Sequence, residues 1–170
     1  MKKKILIIAN NSDGLYRFRK ELIAELVKNN DVIISTPFDN NILELEKMGI
    51  KLIDTPVDRR GINPLTDLKL LNSYRKLFNK IKPDLAITYT IKPNIYASLI
   101  ARFKKIDYAV NITGLGTAFQ SDNLLRKLIV FLYKIALKKV KVVFFENEEN
   151  QNIFINEHIV LKDKTCKLNG

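Results

Sequence analysis

A doubly wound α/β domain built on a parallel sheet is the fold this 170-residue sequence predicts. Three observations lead there. Short runs rich in Ile, Val, Leu and Phe recur along the chain, several near-continuous, as strands buried on both faces require. Segments with helical spacing of apolar residues lie between them. Strand and helix alternate throughout, which implies parallel strands joined by right-handed crossovers.

The first strand is expected at Lys4–Ala9. The lysines at positions 2–4 ahead of Ile5-Leu6-Ile7-Ile8-Ala9 imitate a secretion signal, but the apolar run stops at Asn10 and Asn11, short of the about 7–15 residues a signal needs. A helix over Gly14–Asn29 follows, then a strand over Val32–Thr36, a short helix over Ile42–Met48 and a strand over Lys51–Asp54. Pro64 suits the first turn of a helix over Pro64–Ile81. Strand Leu85–Thr90 leads through Pro93 into a helix over Asn94–Lys104. Strand Tyr108–Thr113 precedes a helix over Asp122–Lys139, with Ser121 or Asp122 as N-cap. Strand Val142–Glu146 and helix Glu148–Asn156 follow. Another strand is expected to start at Lys167-Leu168-Asn169-Gly170, where the sequence stops.

Composition narrows the class. Lys and Arg exceed Asp and Glu by 29 − 18 = 11; 46% of residues are hydrophobic and only 11 are Gly or Pro. There is enough apolar surface to offset chain entropy, which excludes disorder and low complexity. The length suits one domain, and no linker or repeat divides it. A single cysteine, Cys166, and a single histidine, His158, exclude a disulfide framework and a His/Cys metal cluster; no metal site is expected. No stretch approaches the ~20 apolar residues of a membrane span.

In such a sheet, ligands bind outside the carboxyl ends of the strands. The loops at 10–16, 55–63, 90–94, 113–121 and 146–150 are therefore expected to meet in one positively charged pocket. Gly14 lets a helix start approach an anion. Tyr16 and Arg19 follow it, and Arg19 has the fork geometry for phosphate; a solvated cationic face is the plainer alternative. Arg59 and Arg60, with Asn63, suit a diphosphate or sugar hydroxyls. Thr90, Lys92 and Asn94 place a hydroxyl, a cation and an amide at the fourth strand end. Thr113, Gly114, Gly116, Thr117 and Phe119 combine hydroxyls, flexible backbone and an apolar platform. Asn147 and Glu148 open the last helix, where acidic residues also simply complement the helix dipole. There is no G-x-G-x-x-G, and Thr36-Pro37 stands where a ribose-binding acid belongs, so a dinucleotide site is not expected. No nucleophile–base pair is visible.

On the helix over 122–139 and the residues just beyond it, Lys127, Lys134, Lys138 and Lys141 fall within about 60° of one another at 100° per residue. Leu125, Ile129, Leu132, Ala136 and Val140 lie opposite, towards the sheet. Leu124 and Phe131 fall on or beside the lysine stripe. Apolar residues among lysines suit an anionic headgroup layer, so Lys127, Phe131, Lys134, Lys138 and Lys141 are expected to face a membrane; snorkelling lysines on an ordinary packed helix are the alternative. No nucleic-acid-reading motif accompanies the positive charge.

Five segments together resemble a known family: Asn11 to Arg19; Asp58-Arg59-Arg60-Gly61-Ile62-Asn63-Pro64; Tyr89-Thr90-Ile91-Lys92-Pro93-Asn94; Asn111 to Phe119; and Phe145 to Asn150. In this order they resemble the amino-terminal, acceptor-side half of bacterial family-four glycosyltransferases of the capsular and lipid-linked oligosaccharide type. The resemblance covers essentially the whole chain. It implies a single Rossmann-like domain, half of a GT-B fold, with the carboxyl-terminal nucleotide-sugar domain outside this chain. It implies transfer of a hexose or N-acetylhexosamine from a nucleotide-sugar, a UDP-sugar, to a polyprenyl-diphosphate-linked saccharide, at the inner face of the cell membrane and without metal or tightly bound cofactor. By position Gly14 approaches the donor diphosphate, and the remaining loop residues named above line the acceptor side. Related transferases often carry a histidine in the loop after the fifth strand; Thr113 stands there, and no catalytic residue is assigned. The implied half is expected to be inactive without a donor domain, in cis or in trans. Two other readings stand beside it: a non-catalytic lipid- or partner-binding subunit of a split transferase, and a nucleotide- or nucleic-acid-binding Rossmann module.

Overall fold

The computed structural model describes residues 2–58, 63–116, 119 and 124–168. Among them the chain alternates β1 Lys3–Ile8, α1 Ser12–Asn29, β2 Asn30–Thr36, α2 Ile42–Lys47, β3 Lys51–Asp54, α3 Pro64–Ile81, β4 Leu85–Tyr89, α4 Ile91–Phe103, β5 Asp107–Ile112, α5 Leu124–Ala136, β6 Val142–Phe145, α6 Glu148–Asn156 and β7 Thr165–Lys167. The strands form one sheet in the order β3-β2-β1-β4-β5-β6-β7. Every pairing is parallel, with Ile5 opposite Val32 on one side and Leu85 on the other. The chain builds outward from β1 to β3, then returns to β4 and builds the other way. The order therefore reverses between β1 and β4, and a crevice opens at the carboxyl ends there.

Alternation along β1 divides the core in two. Leu6 and Ile8 pack with Tyr74 and Phe78 of α3, Ala97 of α4, Tyr133 of α5 and Phe154 of α6. Ile5 and Ile7 pack with Leu15 and Ile23 of α1 and Leu45 of α2. Successive strand side chains point to opposite faces, so the helices cover the two faces of the sheet. Right-handed crossovers dictate which helix lies on which side.

Four boundaries differ from the sequence expectation. α1 starts at Ser12, because the Asn11 side chain accepts a hydrogen bond from the Gly14 N–H at 3.2 Å and caps the helix; Gly14 lies inside the first turn. α4 starts at Ile91, three residues early, and follows Thr90 held at φ +70° and ψ 160°. α5 tightens into a 3₁₀ turn at Leu137–Lys139, so the helical wheel does not extend to Lys138 and Lys141. β7 begins at Thr165, two residues earlier than expected. The N-cap expected at Ser121 or Asp122 lies outside the described residues.

Candidate functional site

The carboxyl ends of β1, β4, β5 and β6 meet the first two turns of α1 around a cavity of about 390 Å³. Ala9, Asn10 and Asn11 come from the end of β1. Gly14, Leu15, Phe18 and Arg19 come from one face of α1, at the i, i+4 spacing that stacks side chains on a helix. Tyr89 and Thr90 follow β4, Thr113 follows β5 and Glu146 follows β6.

Arg19 is fixed from three directions. Its Nη2 pairs closely with the Glu146 carboxylate. Its Nη1 donates to the Phe18 carbonyl at 2.8 Å, and its guanidinium carbon lies 5.5 Å from the Tyr89 ring centre, within cation–π range. Burial pushes the Tyr89 hydroxyl pKa up, and the neighbouring Arg19 charge opposes that shift. Thr90 adopts a backbone conformation that is nearly restricted to glycine, and its hydroxyl donates to the Tyr89 carbonyl.

Gly14, Arg19, Thr90 and Thr113 are thus brought together as the sequence led one to expect. Other candidates are placed elsewhere. Asn94 is buried, donating from Nδ2 to the Asn111 carbonyl at 2.9 Å; it is a core residue, because α4 begins early and turns it inward. Lys92 points to α3, where it meets Asp67 at 2.8 Å with both side chains mostly covered, 14% and 16% exposed. Asn63 caps α3, accepting from the Leu65 N–H at 3.0 Å, and Asn147 caps α6, accepting from the Asn150 N–H at 2.8 Å. Phe119 stacks on Phe154, 6.2 Å between ring centres. Tyr16 lines a separate depression with Lys20, Glu44 and Lys47. Gly116 has φ +65° and faces Ile91. Gly114 and Glu148 do not line the cavity. Arg59, Arg60 and Thr117 lie outside the described residues.

Phe18, Glu146, Asn10, Asn11 and Tyr89 also line the cavity; none was singled out as a site residue, although Asn10, Asn11 and Glu146 lie in loops expected to meet there. Two signals point to them. Phe18 lies four residues after Gly14 on the same helical face, and the others stand at or next to strand ends.

The cavity also departs from the expected positive character. Its described charged residues are Arg19 and Glu146, and they pair with each other. At the opposite end of the sheet charges of both signs stand at the strand starts: Lys3 and Lys51 start strands and Lys82, Lys105 and Lys139 shortly precede others, alongside Asp31, Asp84 and Asp107. Helix carboxyl termini collect at that end, and their partial negative charge favours cations.

On α5 the expected sheet-facing set is covered: Ala136 is buried, as is Val140 just beyond it, Ile129 and Leu132 pack partly buried against the core and Leu125 is half-buried; Val130 and Tyr133 are buried beside them. The solvent face carries Leu124, Leu128 and Phe131, 84%, 49% and 57% exposed, beside exposed Lys127 and Lys134. Lys141 instead pairs with Asp107 at 3.2 Å. Among the described residues, no helix is long and apolar enough to cross a membrane.

Residues 4–147 match a family model described as glycosyl transferase 4-like. A curated relative, the N,N'-diacetylbacillosaminyl-diphospho-undecaprenol alpha-1,3-N-acetylgalactosaminyltransferase of Campylobacter jejuni, is 27% identical over 176 residues, covering 98% of this chain and 47% of its own length. Among solved structures, a glycosyltransferase from Rickettsia africae superposes with a TM-score of 0.74 at 20% identity, covering 99% of this chain and 43% of that one. The UDP-GlcNAc 2-epimerase of Methanocaldococcus jannaschii, solved with UDP-GlcNAc and UDP, superposes at 0.70 with 18% identity over 98% of this chain and 46% of its own. The chain spans about half the length of these proteins, and its fold is that of the amino-terminal half of GT-B enzymes.

Proposed function

Since the chain belongs to the glycosyl transferase 4-like family, we propose that it is the acceptor-side half of a glycosyltransferase that moves a hexose or N-acetylhexosamine from a UDP-sugar onto a polyprenyl-diphosphate-linked saccharide. The observation that carries this reading is the convergence of four strand ends and α1 on one cavity at the reversal of strand order, the place where open α/β sheets bind ligands. The name of the Campylobacter relative specifies a diphospho-undecaprenol sugar as acceptor, and that supports the acceptor class. The donor belongs to the second half, in the same chain or a separate one, with Gly14 facing the donor diphosphate. No group of the cavity is assigned as nucleophile or base. Positioning and charge stabilisation carry the chemistry, and the leaving diphosphate takes the acceptor proton. The reading calls for no resident metal.

The same reading seats the protein on the inner face of the cell membrane through α5. Leu124, Leu128 and Phe131 enter the headgroup layer, and Lys127, Lys134 and Lys138 meet anionic lipid.

Reconstitution tests it. This chain is combined with a nucleotide-sugar-binding half, fused or added, and given radiolabelled UDP-GalNAc or UDP-GlcNAc with a polyprenyl-diphosphate-linked acceptor. Label is expected in lipid only when both halves are present. Turnover by this chain alone, or 2-epimerisation of the UDP-sugar without acceptor, contradicts the reading.

A further inference from the structure

We propose that the bilayer-facing side of the domain is the outer surface of the whole α3–α4–α5 layer, and that α3 supplies a second contact there: Leu65 and Leu68 enter the headgroup layer while Lys69, Arg75, Lys76 and Lys80 lie on anionic lipid. The proposal rests on the membrane reading of α5 and adds a surface that α5 does not include. Charge is divided unequally between the two faces of the sheet. The three helices of this layer carry nine Lys and Arg against one acid, Asp67, and Asp67 is already paired with Lys92. α1 and α2 on the other face carry five basic and five acidic residues. Glu148 and Glu149 stand at the edge of the layer, in the first turn of α6. A one-sided cationic surface of this kind attracts a plane of negative charge.

The sides of α3 match such a plane. Leu70, Tyr74, Leu77, Phe78 and Ile81 turn to the core. The opposite side holds Leu65 and Leu68, 70% and 61% exposed, with exposed Lys69, Arg75, Lys76 and Lys80. α4 packs against both α3 and α5 and brings half-buried Tyr96 and Leu99 to the surface between them. Each of the three helices follows a strand of one parallel sheet, so all start at the carboxyl end, where the cavity lies. Leu65 and Leu68 therefore stand at the same end as Leu124 and Leu128 of α5. Arg75, Lys76 and Lys80 lie about 15–22 Å beyond Leu65, at 1.5 Å per helical residue. The layer is apolar at the cleft end and cationic beyond it, which tilts the cleft towards the bilayer. On α3 the exposed apolar residues are leucines, which gain from acyl chains and offer a nucleic-acid base no ring to stack on. An anionic bilayer is the partner this surface fits.

The test uses the 170-residue chain, which has no tryptophan, with mixed vesicles of phosphatidylglycerol and phosphatidylcholine. Leu65→Trp, Leu124→Trp and Lys80→Trp each place a single fluorophore. Acyl-brominated lipid is expected to quench Leu65→Trp and Leu124→Trp alike and to leave Lys80→Trp bright. In cosedimentation, Arg75→Gln combined with Lys76→Gln is expected to lower partitioning about twentyfold, since each cation near an anionic surface contributes about fivefold, with the melting temperature unchanged. Leu65→Trp left unquenched on vesicles that quench Leu124→Trp overturns the proposal and leaves the reading of α5 standing. So does cosedimentation undiminished by the change at Arg75 and Lys76. If the unaltered chain binds no anionic vesicle, or binds duplex DNA or RNA in their place, the proposal and the membrane reading of α5 fall together.

Discussion

A methyl group added at Gly116 would lie 2.9 Å from Cδ1 of Ile91, at a backbone φ of +65°. Both the contact and the dihedral oppose it, so Gly116→Ala is expected to lower stability by about 1–2 kcal/mol, read as a drop in melting temperature. Gly14 differs. Its added carbon would meet Asn11 Nδ2 at an ordinary 3.5 Å, inside a helix where alanine is preferred by up to about 1 kcal/mol. Gly14→Ala is expected to keep or slightly raise the melting temperature while lowering reconstituted transfer, because the methyl stands on the cavity wall. Lost stability with unchanged transfer would contradict that role. Asp67→Ala leaves Lys92 as a largely covered cation without its carboxylate, expected to cost about 2–3 kcal/mol by urea denaturation. Residues whose backbone position fixes their direction, such as Gly14 and Thr113, were legible in the sequence. Lys92 and Asn94 were not, since their partners lie 25 and 17 positions away, and local spacing carries no record of such pairings.

α5 shows an element predicted in place and with its covered side read correctly. Its helical period was plain, and a lysine stripe opposite an apolar one was the natural reading. In the structure the centre of the solvent face is apolar, with Leu124, Leu128 and Phe131 one and two turns apart, and the lysines flank it. The sequence carries apolar residues around most of this helix, so periodicity found the covered side through Ile129, Leu132 and Ala136 but did not single out Val130 and Tyr133 as core residues. Changing Leu128 and Phe131 together to Gln is expected to shift stability by less than about 0.5 kcal/mol, as for exposed sites. Flotation with phosphatidylglycerol vesicles should nonetheless fall severalfold. Unchanged flotation would remove α5 from the membrane account. The early start of α4 is a similar case. Pro93 fits a first turn anywhere in it, and the unusual conformation of Thr90 leaves no trace in the sequence pattern.

For the whole molecule, the order and type of the described elements followed from β-α alternation, because a buried parallel strand and a crossover helix each impose a pattern on contiguous residues. Charge distribution did not follow. The net +11 suggested a cationic crown, whereas the described charged residues of the cavity are one pair of opposite sign, Arg19 and Glu146. The tyrosines give a global property to measure. Burial raises the hydroxyl pKa of Tyr74, Tyr89, Tyr96, Tyr108 and Tyr133, that of Tyr108 to about 12. A raised folded value means that the stabilisation is complete below the unfolded value near 10 and is lost as pH rises through the folded values. Tyrosinate absorbance, free of tryptophan overlap in this chain, is expected to rise above pH 10 together with loss of helical circular dichroism. Smooth ionisation near pH 10 with the helices intact would contradict the burial of these rings.

The account depends most on where the ligand sits. Amide shift mapping on the isotopically labelled chain, titrated with a short-chain polyprenyl-diphosphate N-acetylhexosamine, locates it directly. Perturbations should cluster at Ala9–Gly14, Phe18–Arg19, Tyr89–Thr90, Thr113 and Glu146. A cluster at Lys82, Lys105 and Lys139 instead would assign the ligand to the opposite end of the sheet and contradict the cleft.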